Sequence, residues 1–422
     1  MIKEMRIPVF DLAMCLSKVL DLVSPDLVDH HVRVAYVAHV LAGEAGFAAN
    51  ECDEIAVAGL LHDCGAFSLS ERLDVMRFEV EDPHHHGEVG YRLLSRCGRL
   101  EGAACLIRHH HRSWSDNAEL ADGDTVSRGS YLLHLADRIV VLVSRNGHIL
   151  DQARKIEEIV SQNPHGRFCP DFLEAARRVM SREYFWFDLI SKDIPEILKR
   201  RITDAPREFD LGSMLEFAQV VGYIIDFRSR FTATHSRGVS ASAEAIAERV
   251  GFSPRECMMM RIAGYFHDLG KLAVPNTILE KPDRLVNDEF NIIRGHTYHT
   301  FRVMQSVPDL EEMAEWAAFH HERLNGMGYP FHHDASKLSL GARVMAVADV
   351  FTAICEDRPY RPGMETEKAL KVLRQMGSSG VLDPKVVEVL ANEFDAVNLI
   401  REKAQKDALL DYKRFERHYV AR

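Results

Sequence analysis

Apolar residues recur at helical spacing along most of the chain. Stretches such as 211–250 and 365–394 place an apolar residue every three or four positions, whereas alternation of apolar and polar residues over six or more positions is rare. The pattern therefore predicts an all-α fold. Two short β-branched runs, at 139–143 and 220–225, fit a strand or a buried helix equally well.

An internal repeat indicates how the chain is organised. When His235 is laid over His30, matched residue numbers differ by 205, and this register holds without a gap through His62-Asp63-x-Gly65 and His267-Asp268-x-Gly270. Further along, the difference grows to 210 and then to 212. The chain of 422 residues is therefore predicted to be a tandem of two related helical domains, with the boundary near the Pro-containing and basic stretch 194–210.

Each copy contains five histidines and two aspartates at matched positions. The first set is His30, His62, Asp63, His86, His110, His111 and Asp137. The second set is His235, His267, Asp268, His296, His320, His321 and Asp349. These sets account for ten of the 22 histidines in the chain, so the histidine content reflects a duplication.

Charge and cysteine content narrow the class of protein. The net charge of −11 argues against DNA or RNA as a partner bound over the surface. The first twenty residues carry charges throughout and resemble neither a signal peptide nor a membrane span, so no membrane association is expected. Eight cysteines form no Cys-x-x-Cys pair, which favours a reducing, cytoplasmic location over a disulfide framework.

The second set supplies only nitrogen and oxygen ligands. Such a set suits iron, manganese or another first-row divalent ion better than a closed tetrahedral zinc site. Seven side chains are too many for one ion that also binds water and substrate, so we expect two ions with Asp268 bridging them. We assign His235, His267, Asp268 and Asp349 to the first ion. We assign Asp268, His296, His320 and His321 to the second. A pair of ions of this kind generates hydroxide at neutral pH and neutralises charge on a phosphoryl group, which is the chemistry of phosphoester hydrolysis.

Two motifs carry a family resemblance. HDLGK at 267–271 and HHERLNGMGYP at 320–330 resemble the HD-GYP branch of the HD phosphohydrolase superfamily, bacterial phosphodiesterases of cyclic dinucleotides. The first copy resembles a plain HD domain, with HDCGA at 62–66 and no GYP loop. The resemblance predicts an N-terminal HD domain at 1–195, a linker at 196–212, an HD-GYP domain at 213–400 and a helical tail at 401–422.

The resemblance also implies roles for residues near the ligands. Lys271 corresponds to the lysine that approaches the scissile phosphate, so Lys271 and Asp268 are the expected catalytic residues. The expected contacts to the substrate are Arg358, Arg361, Gly328 and Tyr329. Family members with three metals carry a glutamate four residues before the first histidine. Phe231 occupies that position here, so two metals are expected.

The role of the first copy stays open. It keeps all seven ligand types, and Asp26 lies four residues before His30, but Ala66 replaces the lysine. Three alternatives remain: bound metal with weak or no phosphodiesterase activity, a second active hydrolase, or an empty site kept as a scaffold. A regulatory or degenerate domain is the expectation.

These observations predict a metal-dependent phosphodiesterase that opens a cyclic dinucleotide, cyclic di-GMP or 3′,3′-cyclic GMP-AMP, to the linear dinucleotide. A nucleotidase acting on non-cyclic phosphates and a non-catalytic sensor of cyclic dinucleotides are the alternatives. Lys271 and the complete ligand set favour an enzyme over a sensor, and the GYP loop favours a cyclic dinucleotide over other phosphates. The sequence leaves a homodimer or a signalling partner open.

Overall fold

The structure is a computed structural model of the chain. It describes residues 4–24, 27–67, 84–116, 126–144, 146–163, 166–203, 207–228, 234–281, 283–357 and 362–419, with side chains up to 415. Four residues used in the predictions lie outside this part of the chain: Asp26, Phe231, Arg358 and Arg361.

The described residues are almost entirely helical, which confirms the all-α prediction. A two-stranded sheet pairs β1 (Ile7–Pro8) with β2 (Glu208–Phe209), and Asn325 and Asp334 form an isolated bridge. The run at 220–225 is helical, and so is 139–141 of the other ambiguous run. No helix in the described part of the chain has both the length and the apolar run that a membrane span requires.

The chain divides into two compact units. The first comprises residues 8–208 and the second comprises residues 1–7 and 209–422. The exact boundaries predicted from the sequence, including the linker at 196–212 and the tail at 401–422, stay predictions.

The α-helices of the first unit are numbered in chain order. They are α1 (Val9–Asp21), α2 (His30–Glu44), α3 (Ala49–Leu61), α4 (His85–Leu94), α5 (Glu101–Arg108), α6 (Arg128–Val141), α7 (Ile149–Gln162), α8 (Pro170–Met180), α9 (Glu183–Ile190) and α10 (Ile194–Lys199). Short 3-10 helices lie at Gly98–Leu100 and Trp114–Asp116. Helix α2 packs against α3 and α6 at the centre of this unit.

The second unit repeats this arrangement. Its α-helices are α11 (Leu211–Phe227), α12 (His235–Arg249), α13 (Pro254–Phe266), α14 (Asn276–Leu279), α15 (Asn287–Gln305), α16 (Glu311–Ala318), α17 (Leu340–Cys355), α18 (Thr366–Ser378), α19 (Pro384–Asn392) and α20 (Phe394–Tyr419). A 3-10 helix follows α13 at Leu269–Ala273. Helix α12 packs against α13, α17 and the long α20.

Local sequence explains where the ligand-bearing helices begin and end. Helix α13 starts with a capping box in which Ser253 and Glu256 satisfy each other's backbone N–H groups, and Pro254 occupies its first turn. Its interior is apolar, with Met260, Ile262 and Ala263 fully buried. The helix therefore places its C-terminal end, which the His-Asp pair follows directly, in the core of the unit.

Candidate metal centres

The seven predicted ligands of the second unit come from six separate elements. They lie at the first residue of α12 (His235), at the end of α13 (His267), at the start of the 3-10 helix (Asp268), within α15 (His296), after α16 (His320 and His321) and within α17 (Asp349). Six of the seven are buried, and His321 is half-buried. The structure therefore brings the predicted set together in one cluster.

A glycine permits the close approach of two of these elements. A Cβ atom on Gly270 would lie 1.9 Å from the carbonyl oxygen of His296, a distance that no side chain tolerates. The first unit repeats the feature, because a Cβ on Gly65 would lie 2.2 Å from the carbonyl oxygen of His86. The glycine of the HD-x-G motif thus lets the turn that carries the aspartate pack on the backbone of the helix that carries the next histidine.

Asp268 lies between two groups of imidazoles. Its Oδ2 is 3.1 Å from Nε2 of His267. Its Oδ1 is 3.4 Å from Nε2 of His296 and 4.0 Å from Nε2 of His320. In the group that includes His267, Nε2 of His235 lies 3.2 Å from Oδ1 of Asp349. The two carboxylate oxygens therefore face the two ligand groups that the sequence assigns to separate ions.

Backbone carbonyls orient three of the histidines in the same way. The Nδ1 atoms of His267, His296 and His320 lie 2.8, 2.6 and 2.7 Å from the carbonyl oxygen three residues earlier. A carbonyl oxygen can only accept a hydrogen bond, so each Nδ1 carries the proton and each Nε2 presents a lone pair. This is the arrangement in which an imidazole binds a metal through Nε2.

The result is a set of acceptors that face one another. Nε2 of His296 lies 3.4 Å from Nε2 of His320, and both point towards Asp268. Burial lowers the pKa of His296 to about 3 and of His320 to about 4, so both rings are neutral at pH 7. Nε2 of His267 and Oδ1 of Asp268 are buried and have no hydrogen-bond partner among the described residues. Converging lone pairs of this kind fit a cation.

Lys271 lies directly beside the shared carboxylate. Its Nζ donates to Oδ2 of Asp268 at 2.6 Å, because residues three apart lie one above the other in a 3-10 helix. Burial would raise the pKa of Asp268, but His267 and Lys271 outweigh burial and hold that pKa well below its ordinary value. Asp268 is therefore ionised throughout the physiological range, as a metal ligand must be.

A carboxylate that the sequence argument missed holds His235. Oε2 of Glu356 lies 3.1 Å from Nδ1 of His235 and accepts a hydrogen bond of 2.9 Å from Nε2 of Gln405. Burial would lower the pKa of His235, but Glu356 and Asp349 raise it to about 10. Glu356 lies 121 positions from His235 and 49 positions from Gln405 along the chain, so no local spacing pattern could have connected them.

The GYP loop folds back onto the His320-His321 turn. The ring of Tyr329 lies 4.9 Å from that of His321, and the Tyr329 backbone N–H donates to the His321 carbonyl oxygen. Gly328 packs against the backbone of Glu322. The buried Glu322 carboxylate accepts hydrogen bonds from the backbone N–H groups of Phe331 and His333, at 2.7 and 3.0 Å. Glu322, whose role the sequence argument also missed, thus anchors the loop beside the metal ligands.

The first unit contains a cluster with closely similar geometry. Oδ1 of Asp63 lies 3.3 Å from Nε2 of His86 and 3.8 Å from Nε2 of His110, and Oδ2 lies 3.2 Å from Nε2 of His62. Nε2 of His30 lies 3.5 Å from Oδ1 of Asp137. The seven predicted residues, including His111, are all buried, and all but Asp137 belong to groups that could hold a metal ion.

The first cluster also differs from the second. Arg138, which is fully buried, donates to Oδ2 of Asp137. His31, next to His30, pairs with the buried Asp21, and its Nε2 has no hydrogen-bond partner among the described residues. Ala66, which replaces the lysine, is fully buried. The charged side chains of Arg138 and Asp21, beside the first cluster, are therefore both buried.

Comparisons with known proteins identify an HD domain in each unit. Family models described as HD domain match residues 27–142 and residues 219–386. The chain is a tandem HD-domain protein of the HD superfamily, and its resemblance to the HD-GYP phosphodiesterases is confirmed.

Relatives from two bacteria have phosphodiesterase names. The chain is 29% identical over 389 residues to the 3′3′-cGAMP-specific phosphodiesterase 1 of Vibrio cholerae, and the match covers 89% of each protein. It is 35% identical over 157 residues to the cyclic di-GMP phosphodiesterase PA4108 of Pseudomonas aeruginosa, over 37% of each protein. The first relative thus matches across both HD domains.

A solved structure shares the fold. It is the crystal structure of a cyclic GMP-AMP specific phosphodiesterase of Vibrio cholerae, V-cGAP3, with a TM-score of 0.65 and 20% sequence identity. The match covers 93% of this chain and 98% of that one. At this identity the likeness supports the tandem helical fold.

Proposed function

We propose that the chain is a metal-dependent phosphodiesterase that opens a cyclic dinucleotide to the linear dinucleotide at the cluster of the second unit. The observation that carries the proposal is the set of facing acceptors around Asp268, in which neutral Nε2 atoms and an ionised carboxylate converge without a proton between them. Lys271 beside this set, where the first unit has Ala66, favours an enzyme over a binding protein. The names of the relatives support a cyclic dinucleotide as the substrate.

The residues fit two divalent ions, with iron or manganese as the metals that such nitrogen and oxygen ligands favour. His235, His267 and Asp349 would hold one ion, and His296, His320 and His321 the other, with Asp268 shared. When bound, the ions activate water and neutralise charge on a phosphoryl group.

Five further residues of this unit would bind and orient the substrate. Lys271 keeps a positive charge next to Asp268, where it would stabilise the additional negative charge of the phosphate in the transition state. Tyr329 and Gly328 form the wall of the site on the side of His321. Arg358 and Arg361, predicted from the sequence to contact the nucleotide, supply the guanidinium groups that suit a phosphate.

Among cyclic dinucleotides, we propose 3′,3′-cyclic GMP-AMP as the preferred substrate. The relative that matches across both domains is named as specific for it. Cyclic di-GMP is the second candidate, because a relative with higher identity over a shorter match of 157 residues is named for that ring.

The test is a substrate panel. The full chain is purified without oxygen, loaded with Fe²⁺ or Mn²⁺ and incubated with cyclic GMP-AMP, cyclic di-GMP and cyclic di-AMP, and the products are followed by chromatography. We expect linear dinucleotide from the loaded protein and none after chelation, with the fastest turnover for cyclic GMP-AMP. Loaded protein that opens no ring contradicts the activity, and faster turnover of cyclic di-GMP contradicts the preference.

We also propose that the first unit binds metal. Its Nε2 atoms of His62 and His111 and Oδ1 of Asp63 are buried without a hydrogen-bond partner among the described residues. Asp63→Asn is expected to lower the metal content of the full chain measured by elemental analysis. Unchanged content would contradict a metal in this unit.

A further inference from the structure

A chain of hydrogen bonds leads from the long helix α20 to the ligand His235. Arg401 donates to Oε1 of Gln405, Nε2 of Gln405 donates to Oε2 of Glu356 at 2.9 Å, and the same Oε2 lies 3.1 Å from Nδ1 of His235. All four side chains are at least nine-tenths buried. This series of hydrogen bonds therefore runs through the interior of the second unit.

Donors and acceptors along this series of hydrogen bonds can be assigned in only one way. A guanidinium group can only donate, so the atom of Gln405 that faces Arg401 must be its oxygen, and its amide nitrogen must face Glu356. An ionised carboxylate can only accept, so Nδ1 of His235 must carry the proton. Nε2 of His235, 3.2 Å from Asp349, is then the atom left to bind a metal.

Packing on helix α12 keeps Gln405 in place. Gly238 lies one turn after His235, and a Cβ atom there would lie 2.8 Å from Nε2 of Gln405. The missing side chain thus makes room for the amide beside the helix that carries the ligand. In the first unit the repeat places Arg33 at the position of Gly238 and Ser144 at that of Glu356. The Nδ1 of His30 has no hydrogen-bond partner among the described residues.

We propose that Glu356, held by Gln405 and Arg401 of helix α20, is a positioning residue that fixes the ring and the tautomer of His235 for metal binding. The other three histidines of this cluster whose Nδ1 contacts are seen use a backbone carbonyl of their own turn, whereas His235 begins its helix and depends on a distant carboxylate. A carboxylate also makes the imidazole a better ligand than a carbonyl does. This inference rests on the proposed metal-dependent function.

The test measures affinity for Mn²⁺ rather than activity. Asp63→Asn is introduced into the full chain so that binding reports on the second unit, and the dissociation constant for Mn²⁺ is measured with and without Glu356→Gln. We expect Glu356→Gln to weaken binding by about 10- to 100-fold, the usual effect of losing a hydrogen-bond partner of a metal ligand. Glu365→Gln, a change of the same kind at an exposed residue, should leave the constant unchanged.

Two further variants act on the chain from α20. Gln405→Met removes the amide at similar size, and Gly238→Ala displaces it. Each should weaken Mn²⁺ binding, by less than Glu356→Gln does, and Gln375→Met at an exposed position is the control. A purely structural role of Glu356 would lower the unfolding temperature but leave the Mn²⁺ constant of the folded protein unchanged.

The outcomes are distinct. Glu356→Gln with the parental Mn²⁺ constant overturns the inference and leaves the proposed function intact. If Glu356→Gln does not fold, Gln405→Met decides, and an unchanged constant in that variant overturns the inference. A parental chain that binds no Mn²⁺ overturns the proposed function together with the role of Glu356.

Discussion

The clusters of the two units share their ligand geometry but place positive charge differently. In the second unit Lys271 contacts Asp268 and keeps 23% of its side chain exposed. In the first unit Arg138 contacts Asp137 with 2% of its side chain exposed. A charge that solvent reaches can meet an incoming phosphate, whereas a fully buried charge can only balance the cluster. The difference teaches that two clusters with the same seven residue types can differ in whether a positive charge beside them is open to solvent.

The surroundings of the last two histidines differ as well. In the second unit Glu322 follows them and accepts two backbone hydrogen bonds from the GYP loop. The repeat places Arg112 at this position in the first unit, and a guanidinium cannot accept. The pKa of the first histidine of each set differs as well. In the metal-free chain, carboxylates raise the pKa of His235 to about 10, whereas burial lowers the pKa of His30 to about 3 despite the nearby Asp137.

The test with the largest expected effect replaces the central aspartate of each cluster by asparagine, in separate variants. Asp268→Asn should reduce hydrolysis of the cyclic dinucleotide by at least about 10³-fold, the upper end of the loss from one transition-state contact, because Asp268 serves both ion groups. Asp63→Asn should leave turnover by the second unit within about twofold, because Asp63 belongs to the other cluster and distant sites usually act independently. Turnover is measured by chromatography on metal-loaded protein. Equal losses in the two variants would show that the clusters do not work separately.

Lys271 provides the next largest effect. Lys271→Ala should lower kcat by about 10²-fold, since it removes one charge that faces the phosphate, while Asp268 stays ionised beside His267. The control is Lys368→Ala, at an exposed lysine of the same unit. Normal kcat in Lys271→Ala would mean that the lysine serves only to pair with Asp268.

Loosening the GYP loop should have a smaller effect. Glu322→Gln replaces a charged acceptor of two backbone N–H groups by a neutral amide with a single acceptor oxygen, a loss of about 1–3 kcal/mol in loop anchoring. We expect a KM for the dinucleotide that is about tenfold higher, in keeping with that energy. Steady-state kinetics provide the measurement. A fall in kcat at unchanged KM would instead indicate that Glu322 acts on His321.

The smallest expected effect concerns pH rather than catalysis. Burial raises the pKa of Asp226 to about 7, although Ser236 donates to it at 2.7 Å and opposes the shift. The folded state then keeps a proton that the unfolded chain releases near 3.8, so stability falls as pH rises from about 4 to 7. Asp226→Asn should flatten this part of the thermal unfolding profile of the chelated protein.

The matched position in the first unit sharpens this last comparison. There Asp21 pairs with His31 instead of a serine. The control for Asp226→Asn is Asp395→Asn, at an exposed position of the same unit. A variant Asp226→Asn with the same pH slope as the control would show that Asp226 does not carry the dependence.

The sequence alone predicts the helices and the clustering of the histidines and aspartates for one physical reason. Helical periodicity and the repeat are local patterns, and a ligand at the end of a helix stays there when the helix forms, so matched spacing brings His235 and His267 together. Glu356 and Gln405 escaped prediction because their contacts join elements far apart along the chain. Glu322 escaped prediction because its hydrogen bonds depend on how the irregular loop that follows it folds back. The stretch at 211–250, which reads as one helical pattern, contains two helices, α11 and α12, with His235 at the start of the second.

The carbonyl contacts of His267, His296 and His320 have a wider consequence. Each ring takes its orientation from the turn that carries it, so the ligand and its guide are inherited together as one short segment. Such a segment survives duplication and drift of the rest of the domain, as His62 and His110 of the first unit illustrate with the same contact. Each of these three rings is therefore held by its own turn, whereas the ring of His235 depends on a carboxylate 121 positions away along the chain.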